Sequence, residues 1–258
     1  MAKHTTFKIG GPAEYFCVAN NKEDIIKAVK WAKEKKLPFF VLGNGSNVLV
    51  SDKRYKGLVI KTGKPLFSYI SKGLEWAVGI PGTIEGAVYG NAGAFEKSMK
   101  DAVESVEVLD AETEKIKVFK NRDCQFTYRD SIFKRNKNLI ILSVKIKPKK
   151  SNSKKIKEYL NYKKETQPLN FPSAGSVFKN PCLAGRQVPG FSAGELIEKC
   201  GLKGEKIGKA KISEKHANFI INLGGAKSED VIKLIKTIKQ KVKNKFGIKL
   251  QKEIQIIR

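Results

Sequence analysis

The pattern of apolar and polar residues predicts a strand, a helix and a second strand at the start of the chain. Residues 14–19 (EYFCVA) and 38–43 (PFFVLG) are short apolar runs of the kind found in strands. The segment between them, residues 24–36, has apolar side chains at helical spacing, and Asn20 or Asn21 can cap it. These apolar side chains are Ile25, Ala28, Val29 and Ala32. The sequence therefore predicts an opening β-α-β unit.

Further strands are predicted through the middle of the chain. The candidate segments are residues 47–52, 58–63, 103–110, 115–119 and 139–148. Residues 103–119 have the alternation and the central turn of a hairpin. In the last candidate strand, alternation places Ile140, Leu142, Val144 and Ile146 on one face. No single pattern stands out in residues 65–76.

A polar, lysine-rich tract at residues 148–155 is the predicted domain boundary. Beyond it, the predicted elements are helices over residues 154–165 and 193–201, a strand over 217–222, a long helix that Ser228 caps and Gly247 ends, and a terminal strand over 250–258. The apolar stripe of the long helix consists of Val231, Leu234, Ile235, Ile238 and Val242. On the terminal strand, Leu250, Ile254 and Ile256 share one face and Glu253 points the other way. The whole pattern predicts an α+β fold.

The chain is strongly basic, with a formal net charge of +26 over 258 residues. A basic surface attracts nucleic acid, anionic lipid and phosphorylated small molecules alike. The excess is almost entirely lysine, spread along the polar sides of the predicted helices, and no basic motif is interleaved with aromatic residues. We therefore expect neither a nucleic-acid nor a membrane partner.

No apolar run approaches the length that spans a bilayer, and the first residues lack the apolar core of a secretion signal. We therefore expect a cytoplasmic protein. The cysteines Cys17, Cys124, Cys182 and Cys200 are scattered without metal-ligand spacing, so they predict buried free thiols and no metal site.

Two glycine-rich segments are candidates for binding phosphate groups. GNGSNVLV, residues 43–50, follows a predicted strand but lacks the third glycine and the helix of a dinucleotide fingerprint. Its amides and the side chains of Ser46 and Asn47 can form an anion-binding nest, and a plain tight turn accounts for the pattern equally well.

In GIPGTIEGAVYGNAGAF, residues 79–95, Pro81 suits the first position of a helix whose free amides face a phosphate. Gly82, Gly86 and Gly90 then share one helical face, which close helix packing without a ligand also accounts for. Together the two segments suggest a cofactor with a diphosphate. The predicted cofactor-binding residues are Gly43, Asn44, Gly45, Ser46, Asn47, Gly79, Ile80, Pro81, Gly82, Thr83, Gly86, Ala87, Gly90, Asn91, Gly93 and Ala94.

A third segment, SAGSVFKNP over residues 173–181, presents Ser176 next to a glycine. The surrounding residues do not form the G-x-S-x-G elbow of a nucleophilic serine, and no Asp-His pair stands near it in the sequence. A serine hydroxyl without an adjacent base is a poor nucleophile, but it can donate a proton to a strongly basic carbon.

Seven segments occur in the chain in a fixed order: TTFKIGGPAEYF, VLGNGSNVLVSD, GIPGTIEGAVYGNAGAF, FTYRDSIFK, SAGSVFKNP, AGELIEKCGLKG and SEKHANFIIN. Together they resemble the UDP-N-acetylenolpyruvoylglucosamine reductase family of early peptidoglycan synthesis. The resemblance extends from Thr5 to the C-terminus. The short stretch between Arg129 and Ser176 is similar to the compact subtype of the family.

The resemblance implies a two-lobed FAD-binding domain of the vanillyl-alcohol-oxidase type and a C-terminal α+β substrate-binding domain. The implied bounds are 1–150 for the first domain, with lobes 1–56 and 57–150, and 151–246 for the second; residues 247–258 are a candidate for returning to the first lobe. The implied activity uses NADPH to reduce FAD, which then reduces the enolpyruvyl ether of a UDP-sugar. We expect a monomer with NADPH and the UDP-sugar as its small-molecule partners.

The same resemblance implies roles for individual residues. Arg129, Ser176 and Glu253 match catalytic positions, and Tyr128, Arg129, Ser176 and Asn180 match substrate-binding positions. The residues alone also allow ordinary structural roles: Arg129 can pair with Asp130 or Asp123, Tyr128 can be a strand aromatic, and Glu253 can lie on a solvated edge. His216 is expected in the core, without a catalytic role.

Three departures from the family pattern leave alternatives open. The segment between LVIK and GIPG lacks a strand and a helix that the family carries, Glu85 replaces a glycine, and Thr166 replaces a lysine before Q-P-L. Another flavin oxidoreductase of the same fold, or a flavin-less binding protein derived from the family, is therefore the alternative hypothesis.

Overall fold

The computed structural model describes residues 1–181 and 191–258, and the backbone of residues 182, 183, 186 and 187. The strands are β1 (Ala13–Val18), β2 (Phe39–Leu42), β3 (Val48–Val50), β4 (Tyr55–Lys61), β5 (Gly93–Ala94), β6 (Lys97–Ser98), β7 (Val103–Asp110), β8 (Lys115–Lys120), β9 (Leu139–Ile146), β10 (Ser173–Ser176), β11 (Cys182–Leu183), β12 (Arg186–Gln187), β13 (Lys206–Ile207), β14 (Ala210–Ile212), β15 (Phe219–Asn222) and β16 (Gln255–Ile257). The α-helices are α1 (Lys22–Glu34), α2 (Ile84–Tyr89), α3 (Met99–Ala102), α4 (Ile132–Arg135), α5 (Ser153–Thr166), α6 (Ala193–Lys199) and α7 (Ser228–Phe246). Short 3₁₀ helices cover Ala2–His4, Leu66–Lys72, Glu75–Ala77 and Asn121–Cys124.

The chain divides into two compact units. The terminal unit consists of Met1–Pro12, Gly45–Tyr55 and Lys163–Arg258, and the middle unit consists of Ala13–Asn44 and Lys56–Tyr162. The division into a flavin-binding domain over 1–150 and a substrate-binding domain over 151–246 stays a prediction.

The middle unit begins with the predicted β-α-β arrangement. Helix α1 follows β1, its N-cap Asn21 accepts the Asp24 N–H, and β2 then pairs in parallel with β4. The strand order of this sheet is β1-β4-β2. The helix buries Ile25, Val29 and Ala32, three of the four positions that the spacing predicted, in a core shared with Leu58 and Ile60.

A second sheet of the middle unit has the antiparallel order β8-β7-β9. The predicted hairpin of β7 and β8 is confirmed, but the predicted single apolar face of β9 is wrong. The pairing of β7 with β9 shifts register between Glu107 and Val108, so Ile140 and Leu142 enter one core while Ile146 enters another. A bulge of this kind reverses the face of every residue beyond it.

A short connection joins β4 to α2 in the middle unit. Its two ends meet, since residues 64–66 pair directly with residues 82–84. The Leu66 N–H donates to the Gly82 carbonyl at 3.0 Å and the Ile84 N–H donates to the Lys64 carbonyl at 2.9 Å. Pairing keeps this segment extended, so α2 begins at Ile84 with Thr83 as its N-cap, not at Pro81. The prediction of a longer helix with three glycines on one face is therefore wrong.

The terminal unit contains an antiparallel sheet of order β10-β15-β14-β13 against α6 and α7. The predicted stripe of α7 is confirmed, since all five of its apolar residues are buried. Ser228 was predicted to cap α7 but is its first residue. Its amide and hydroxyl both donate to the Asp52 carboxylate, at 2.7 and 2.8 Å, so the cap comes from a residue distant in the sequence.

The C-terminal strand is shorter than predicted. Strand β16 covers only Gln255–Ile257 and pairs in parallel with β3. Residues Leu250 and Ile254 are buried in the core of the terminal unit, as their alternation indicated. Within the described residues, no helix is long and apolar enough to cross a membrane.

Candidate active site

Arg129 lies at a tight, strained turn of the middle unit. Its φ is +54°, a left-handed conformation that costs a non-glycine residue roughly 1–2 kcal/mol. The turn is closed by reciprocal backbone bonds between Thr127 and Asp130, at 3.1 and 3.2 Å. In this conformation the Arg129 side chain leaves the backbone in a direction that it would not have in a strand or a helix.

Side chains from neighbouring segments hold this turn. Asn91 Nδ2 donates to the Thr127 carbonyl at 2.8 Å, and Lys134 Nζ donates to the Arg129 carbonyl at 3.0 Å. Ser131, fully buried, donates its hydroxyl to the Tyr89 carbonyl at 2.7 Å. The strain at Arg129 is therefore offset by hydrogen bonds to fixed carbonyls.

Contacts within the middle unit help to orient the Arg129 guanidinium. It lies 5.2 Å from the centre of the Tyr128 ring, and its Nη2 donates to the Gly93 carbonyl at 2.8 Å. The Asp130 carboxylate is paired with Arg135, and Asp123 lies 3.6 Å from Arg122. Other arginines thus pair with the two aspartates that the sequence offered as ordinary partners for Arg129.

Asn91, a predicted cofactor-binding residue, is buried with 5% of its surface exposed and also has a left-handed φ of +43°. Besides donating to Thr127, its Oδ1 accepts the Lys100 N–H at 3.0 Å. Both ends of its amide therefore bond to protein backbone. A role for Asn91 in holding the Arg129 turn was not visible in the sequence, where asparagine only indicates a tolerance for left-handed backbone.

The structure brings parts of the two glycine-rich segments together within the middle unit. Asn44 Nδ2 donates to the Pro81 carbonyl at 2.7 Å. A side chain at Gly43 would place its Cβ 2.7 Å from the Thr83 hydroxyl, so only glycine fits there without a shift. Thr83 Oγ1 accepts the Gly86 N–H at 3.1 Å and so caps α2.

The rest of the second segment lies around α2. Ala87 is buried in the core, while Gly86 and Gly90 leave the adjoining surface without side chains. Gly79 has a left-handed φ of +74°, and Gly93 and Ala94 form β5. Ile80 packs against the core, and Gly82 accepts the Leu66 N–H.

Gly45, Ser46 and Asn47, the remaining residues of the first segment, belong to the terminal unit. Gly45 has a φ of +65°, and a Cβ there would lie 2.4 Å from the His4 carbonyl, so glycine is required at this position. Asn47 Nδ2 donates to the Glu253 carbonyl at 3.3 Å.

Glu85 lies where the second segment meets the short connection. Its Oε2 accepts the Lys64 N–H at 2.9 Å. Burial raises the pKa of this carboxyl, while hydrogen bonds from the backbone and the nearby Lys64 lower it by less. The Glu85 carboxyl thus joins the start of the second segment to the residues that follow β4.

Ser176 and Glu253 are brought together within the terminal unit. The Val177 carbonyl, next to Ser176, accepts the Glu253 N–H at 2.8 Å, and Phe178 forms an antiparallel bridge with Lys252. Both side chains are half-buried. The Ser176 hydroxyl makes no hydrogen bond with residues 1–181 or 191–258, and the preceding Gly175 has a φ of +72°.

Asn180, predicted to bind substrate, accepts the Ala193 N–H through its Oδ1 at 3.0 Å, at the start of α6. His216 packs against Phe219, with 4.9 Å between ring centres, and its Nδ1 accepts the Asn218 N–H at 3.2 Å. Burial lowers the pKa of His216. His216 is half-buried, so it is not a fully buried core residue as the sequence suggested, although protein contacts satisfy its ring.

Lys163, which lies close in the sequence to Thr166, is buried. Lys163, on α5, has 4% of its surface exposed, and burial lowers its pKa to about 8. Among the cysteines, Cys124 is fully buried and burial raises its pKa to about 12, whereas Cys17 and Cys200 are only half-buried. The side chain of Cys182 lies outside the described residues.

Two family models match the chain. The C-terminal domain of UDP-N-acetylenolpyruvoylglucosamine reductase matches residues 167–257, and an FAD-binding domain matches residues 13–72. The second match includes β1, α1 and the first glycine-rich segment.

Full-length relatives carry the same name. UDP-N-acetylenolpyruvoylglucosamine reductases from Caldanaerobacter subterraneus and Caldicellulosiruptor bescii are each 43% identical to the whole chain, which covers 91% and 88% of their lengths. The alignment with the Caldanaerobacter protein extends over 285 positions, about 27 more than the 258 residues here.

A solved structure shows the same fold. The crystal structure of UDP-N-acetylenolpyruvylglucosamine reductase from Thermus caldophilus superposes with a TM-score of 0.82 at 33% identity, covering 100% of this chain and 97% of that one. The predicted α+β combination of an FAD-binding region and a C-terminal reductase domain is therefore confirmed. By these matches, the chain belongs to the UDP-N-acetylenolpyruvoylglucosamine reductase family and is an FAD-dependent oxidoreductase.

Proposed function

We propose that this enzyme uses NADPH to reduce the enolpyruvyl ether of UDP-N-acetylglucosamine enolpyruvate to UDP-N-acetylmuramate in peptidoglycan synthesis. The names of the relatives support the reaction, and the backbone bond between Val177 and Glu253 is the observation in this chain that carries it. That bond makes Ser176 and Glu253 neighbours, although 77 positions separate them in the sequence. We also expect the enzyme to be a cytoplasmic monomer.

The residues of the two glycine-rich segments fit an FAD-binding role. Gly43 and Asn44 pack against Thr83 and Pro81, so backbone from both segments converges, and Gly86 leaves an exposed surface with no side chain. When bound, FAD would supply the redox chemistry, which is the net transfer of a hydride from NADPH through flavin N5 to the β-carbon of the enolpyruvyl group. The glycine-rich segments are proposed to hold its diphosphate through backbone amides.

Ser176 is proposed to donate the proton that completes the reduction. Addition of hydride to the β-carbon leaves an enolate, whose α-carbon is basic enough to take a proton from an ordinary serine hydroxyl. The Ser176 hydroxyl is half-buried, and its hydrogen-bonding capacity is not used by residues 1–181 or 191–258. A hydroxyl in this state is available to a substrate atom.

Arg129 and Glu253 are proposed to stabilise and orient the same intermediate. The enolate and the adjacent carboxylate develop negative charge, which a fixed guanidinium stabilises. The bond to Gly93 and the Tyr128 ring pre-organise the Arg129 side chain, so little entropy is lost when it meets an anion. For Glu253, whose backbone is fixed by Val177, we propose a role in orienting or polarising the substrate carboxylate. Tyr128 and Asn180 are proposed to bind substrate.

The test is Ser176→Ala, with the two half-reactions measured separately by flavin absorbance in a stopped-flow instrument. Reduction of the flavin by NADPH should proceed at nearly the wild-type rate, because Ser176 has no part in it. Reoxidation of the reduced flavin by the enolpyruvyl substrate should slow by roughly 10²–10⁴-fold, the usual cost of removing a proton donor.

Ser173→Ala is the matched control, since Ser173 lies on the same strand three positions earlier. It should leave reoxidation within a few-fold of wild type. Equal loss of both half-reactions in Ser176→Ala would remove the proton-donor assignment. A wild-type enzyme whose reduced flavin ignores the enolpyruvyl substrate would overturn the proposed reaction itself.

A further inference from the structure

We propose that Asn218 is a positioning residue that fixes the backbone carrying Ser176 and Asn180. The proposal rests on the function proposed for Ser176. Asn218 is not expected to touch the substrate, because only 4% of its surface is exposed. Its effect is exerted through the peptide groups of residues 177–179.

The Asn218 side chain bonds to both backbone groups of one residue. Its Oδ1 accepts the Phe178 N–H at 2.9 Å, and its Nδ2 donates to the Phe178 carbonyl at 2.9 Å. Both bonds are buried. A side-chain amide has the donor and acceptor arrangement of a peptide group, so Asn218 bonds to Phe178 as a neighbouring strand would.

This substitute for a strand is needed because the regular pairing ends at Ser176. Strand β10 pairs with β15 through Ser176 opposite Phe219, with a register shift after Ser173. Beyond that point, the Val177 N–H still donates to the Asn218 carbonyl at 2.8 Å. Without the Asn218 side chain, the buried Phe178 amide and carbonyl would both lose their partners, at a cost of roughly 1–3 kcal/mol each.

The opposite edge of the same segment is held by the C-terminal residues. The Lys179 N–H donates to the Gln251 carbonyl at 2.9 Å, and the Val177 carbonyl accepts from Glu253. Residues 177–179 are therefore bonded on both sides, with Ser176 and Asn180 immediately before and after them. Gly175, before Ser176, has a φ of +72°, and its N–H makes only a long hydrogen bond to the Ser173 hydroxyl, at 3.5 Å. Among the described residues beyond its chain neighbours, no atom lies within 4 Å of the position that a Cβ would take. The orientation of Ser176 therefore depends on the bonds that follow it.

Asn222 provides a matched comparison on the same strand. It is equally buried, at 3% exposed, and its side chain also bonds to backbone at both ends. Its Nδ2 donates to the Phe7 carbonyl at 3.0 Å, and its Oδ1 accepts the Gly224 and Ala226 N–H groups at 2.9 and 3.0 Å. None of these partners belongs to the segment with Ser176. The two asparagines differ in the segment they hold, not in how they hold it.

The experiment compares Asn218→Asp with Asn222→Asp in the flavin-loaded enzyme. At neutral pH, each substitution replaces a donor with a carboxylate that faces a carbonyl. For Asn218→Asp we expect reoxidation of the reduced flavin by substrate to slow by roughly 10–100-fold, the effect of a small misplacement, while reduction by NADPH stays within about 2-fold. Asn222→Asp should lower the melting temperature by a similar amount and leave reoxidation nearly unchanged.

A pH series gives the readout that a merely structural role would not move. A protonated aspartic acid can again donate to the Phe178 carbonyl and accept its N–H, so the ratio of the Asn218→Asp rate to the wild-type rate should rise as the pH falls. The titratable groups nearby are His216, which is influenced by Lys203 and Glu198, and Lys179, Lys252 and Glu253 on the facing segments. They are also present in the wild type, so the ratio cancels their titration. Asn222→Asp should show no such recovery in reoxidation.

Amide hydrogen exchange tests the positioning without reference to activity. In Asn218→Asp the amides of residues 177–179 should exchange at least about 10-fold faster than in the wild type or in Asn222→Asp, because their bonds open more readily. Equal exchange in both variants, or equal slowing of reoxidation, would overturn the proposal. If Asn218→Asp does not fold, Asn218→Ser, which keeps one bonding group, should give the same pattern with a smaller effect. A wild-type enzyme that fails to reduce the substrate would overturn the proposed function alone, since the exchange result stands by itself.

Discussion

The two units hold their proposed catalytic residues in opposite ways. In the middle unit, Arg129 has a strained backbone that is fixed by side chains such as Asn91 and Lys134. In the terminal unit, Ser176 and Glu253 lie along backbone pairings, and the left-handed residue there is Gly175, which accepts that conformation at little cost. The middle unit thus has a strained backbone at Arg129, whereas in the terminal unit backbone pairing and the Asn218 side chain fix the position of the backbone.

The distribution of left-handed backbone supports this contrast. Among the described residues, the non-glycine residues with positive φ between 91 and 129 are Asn91, Phe95, Glu96, Glu114, Gln125 and Arg129, and Lys8 is the one such residue in the terminal unit. Strained residues persist only where their surroundings fix them and are common at functional sites. The comparison predicts that relief of backbone strain changes stability more in the middle unit than in the terminal unit.

The largest expected effect is that of Arg129→Ala. Loss of the guanidinium should slow reoxidation of the reduced flavin by the enolpyruvyl substrate by about 10²–10³-fold, because charge in the transition state loses its partner. Reduction by NADPH and the melting temperature should change little. The measurement is the same pair of half-reactions, at substrate concentrations that separate binding from rate.

Arg122→Ala is the control for Arg129→Ala, since Arg122 is an exposed arginine of the same unit, with 83% of its side chain exposed. It should leave both half-reactions unchanged. Equal slowing of reduction and reoxidation by Arg129→Ala would show that the arginine supports the fold or the flavin and not the substrate.

A smaller effect is expected from the residue that holds the Arg129 turn. Asn91→Ala removes one of the two hydrogen bonds to the Thr127 carbonyl, which keeps the Asp130 N–H, and leaves the Lys100 N–H without its side-chain acceptor. The variant also keeps a Cβ in a left-handed conformation. We expect a loss of about 1–3 kcal/mol in the free energy of unfolding, measured with urea. Asn91→Gly loses the same bonds but relieves the backbone, so it should be about 1 kcal/mol more stable than Asn91→Ala. Equal stability of the two variants would mean that Asn91 is not strained.

The sequence pattern predicted those parts of the fold that depend on local spacing. The stripe of α7, the cap and buried face of α1 and the hairpin of β7 and β8 follow from periods of 3.6 and 2 and were found as expected. The face of β9 was not predictable, because a register shift opposite Glu107 and Val108 is set by pairing between distant segments. The capping of α7 by Asp52 was not predictable for the same reason, because Asp52 is distant in the sequence.

The candidate site shows the same limit. The glycine-rich segments and Ser176 were recognisable from local motifs, but nothing local indicates that Asn218 bonds to Phe178 or that Asn91 bonds to Thr127. Buried asparagines that act as peptide groups resemble ordinary turn or strand residues in a sequence. Their roles become visible only when the distant segments are seen together.

The smallest expected effect concerns Glu85, at the short connection of the middle unit. Burial raises the pKa of this carboxyl in the folded state, so the neutral form is favoured by folding, and its contribution to stability is lost as the pH rises through the folded pKa. Glu85→Gln keeps an acceptor for the Lys64 N–H without a charge. It should therefore raise the free energy of unfolding by up to about 1 kcal/mol at pH 8 and have no effect at a pH well below the ordinary glutamate value of about 4.3.

Glu114→Gln is the matched control for the Glu85 experiment, because the Lys33 hydrogen bond lowers the pKa of Glu114, the opposite direction. A lowered carboxyl pKa contributes stability at neutral pH that is lost on acidification, so this variant should be slightly less stable than wild type at pH 8 and equal to it in acid. Urea unfolding of both variants across the pH range measures the two signs together. If Glu85→Gln also loses stability at pH 8, the ionised carboxylate itself holds the short connection closed through its bond with the Lys64 N–H. The middle unit would then depend on a charged side chain at this connection, as it does at the Arg129 turn, where Lys134 donates to the Arg129 carbonyl.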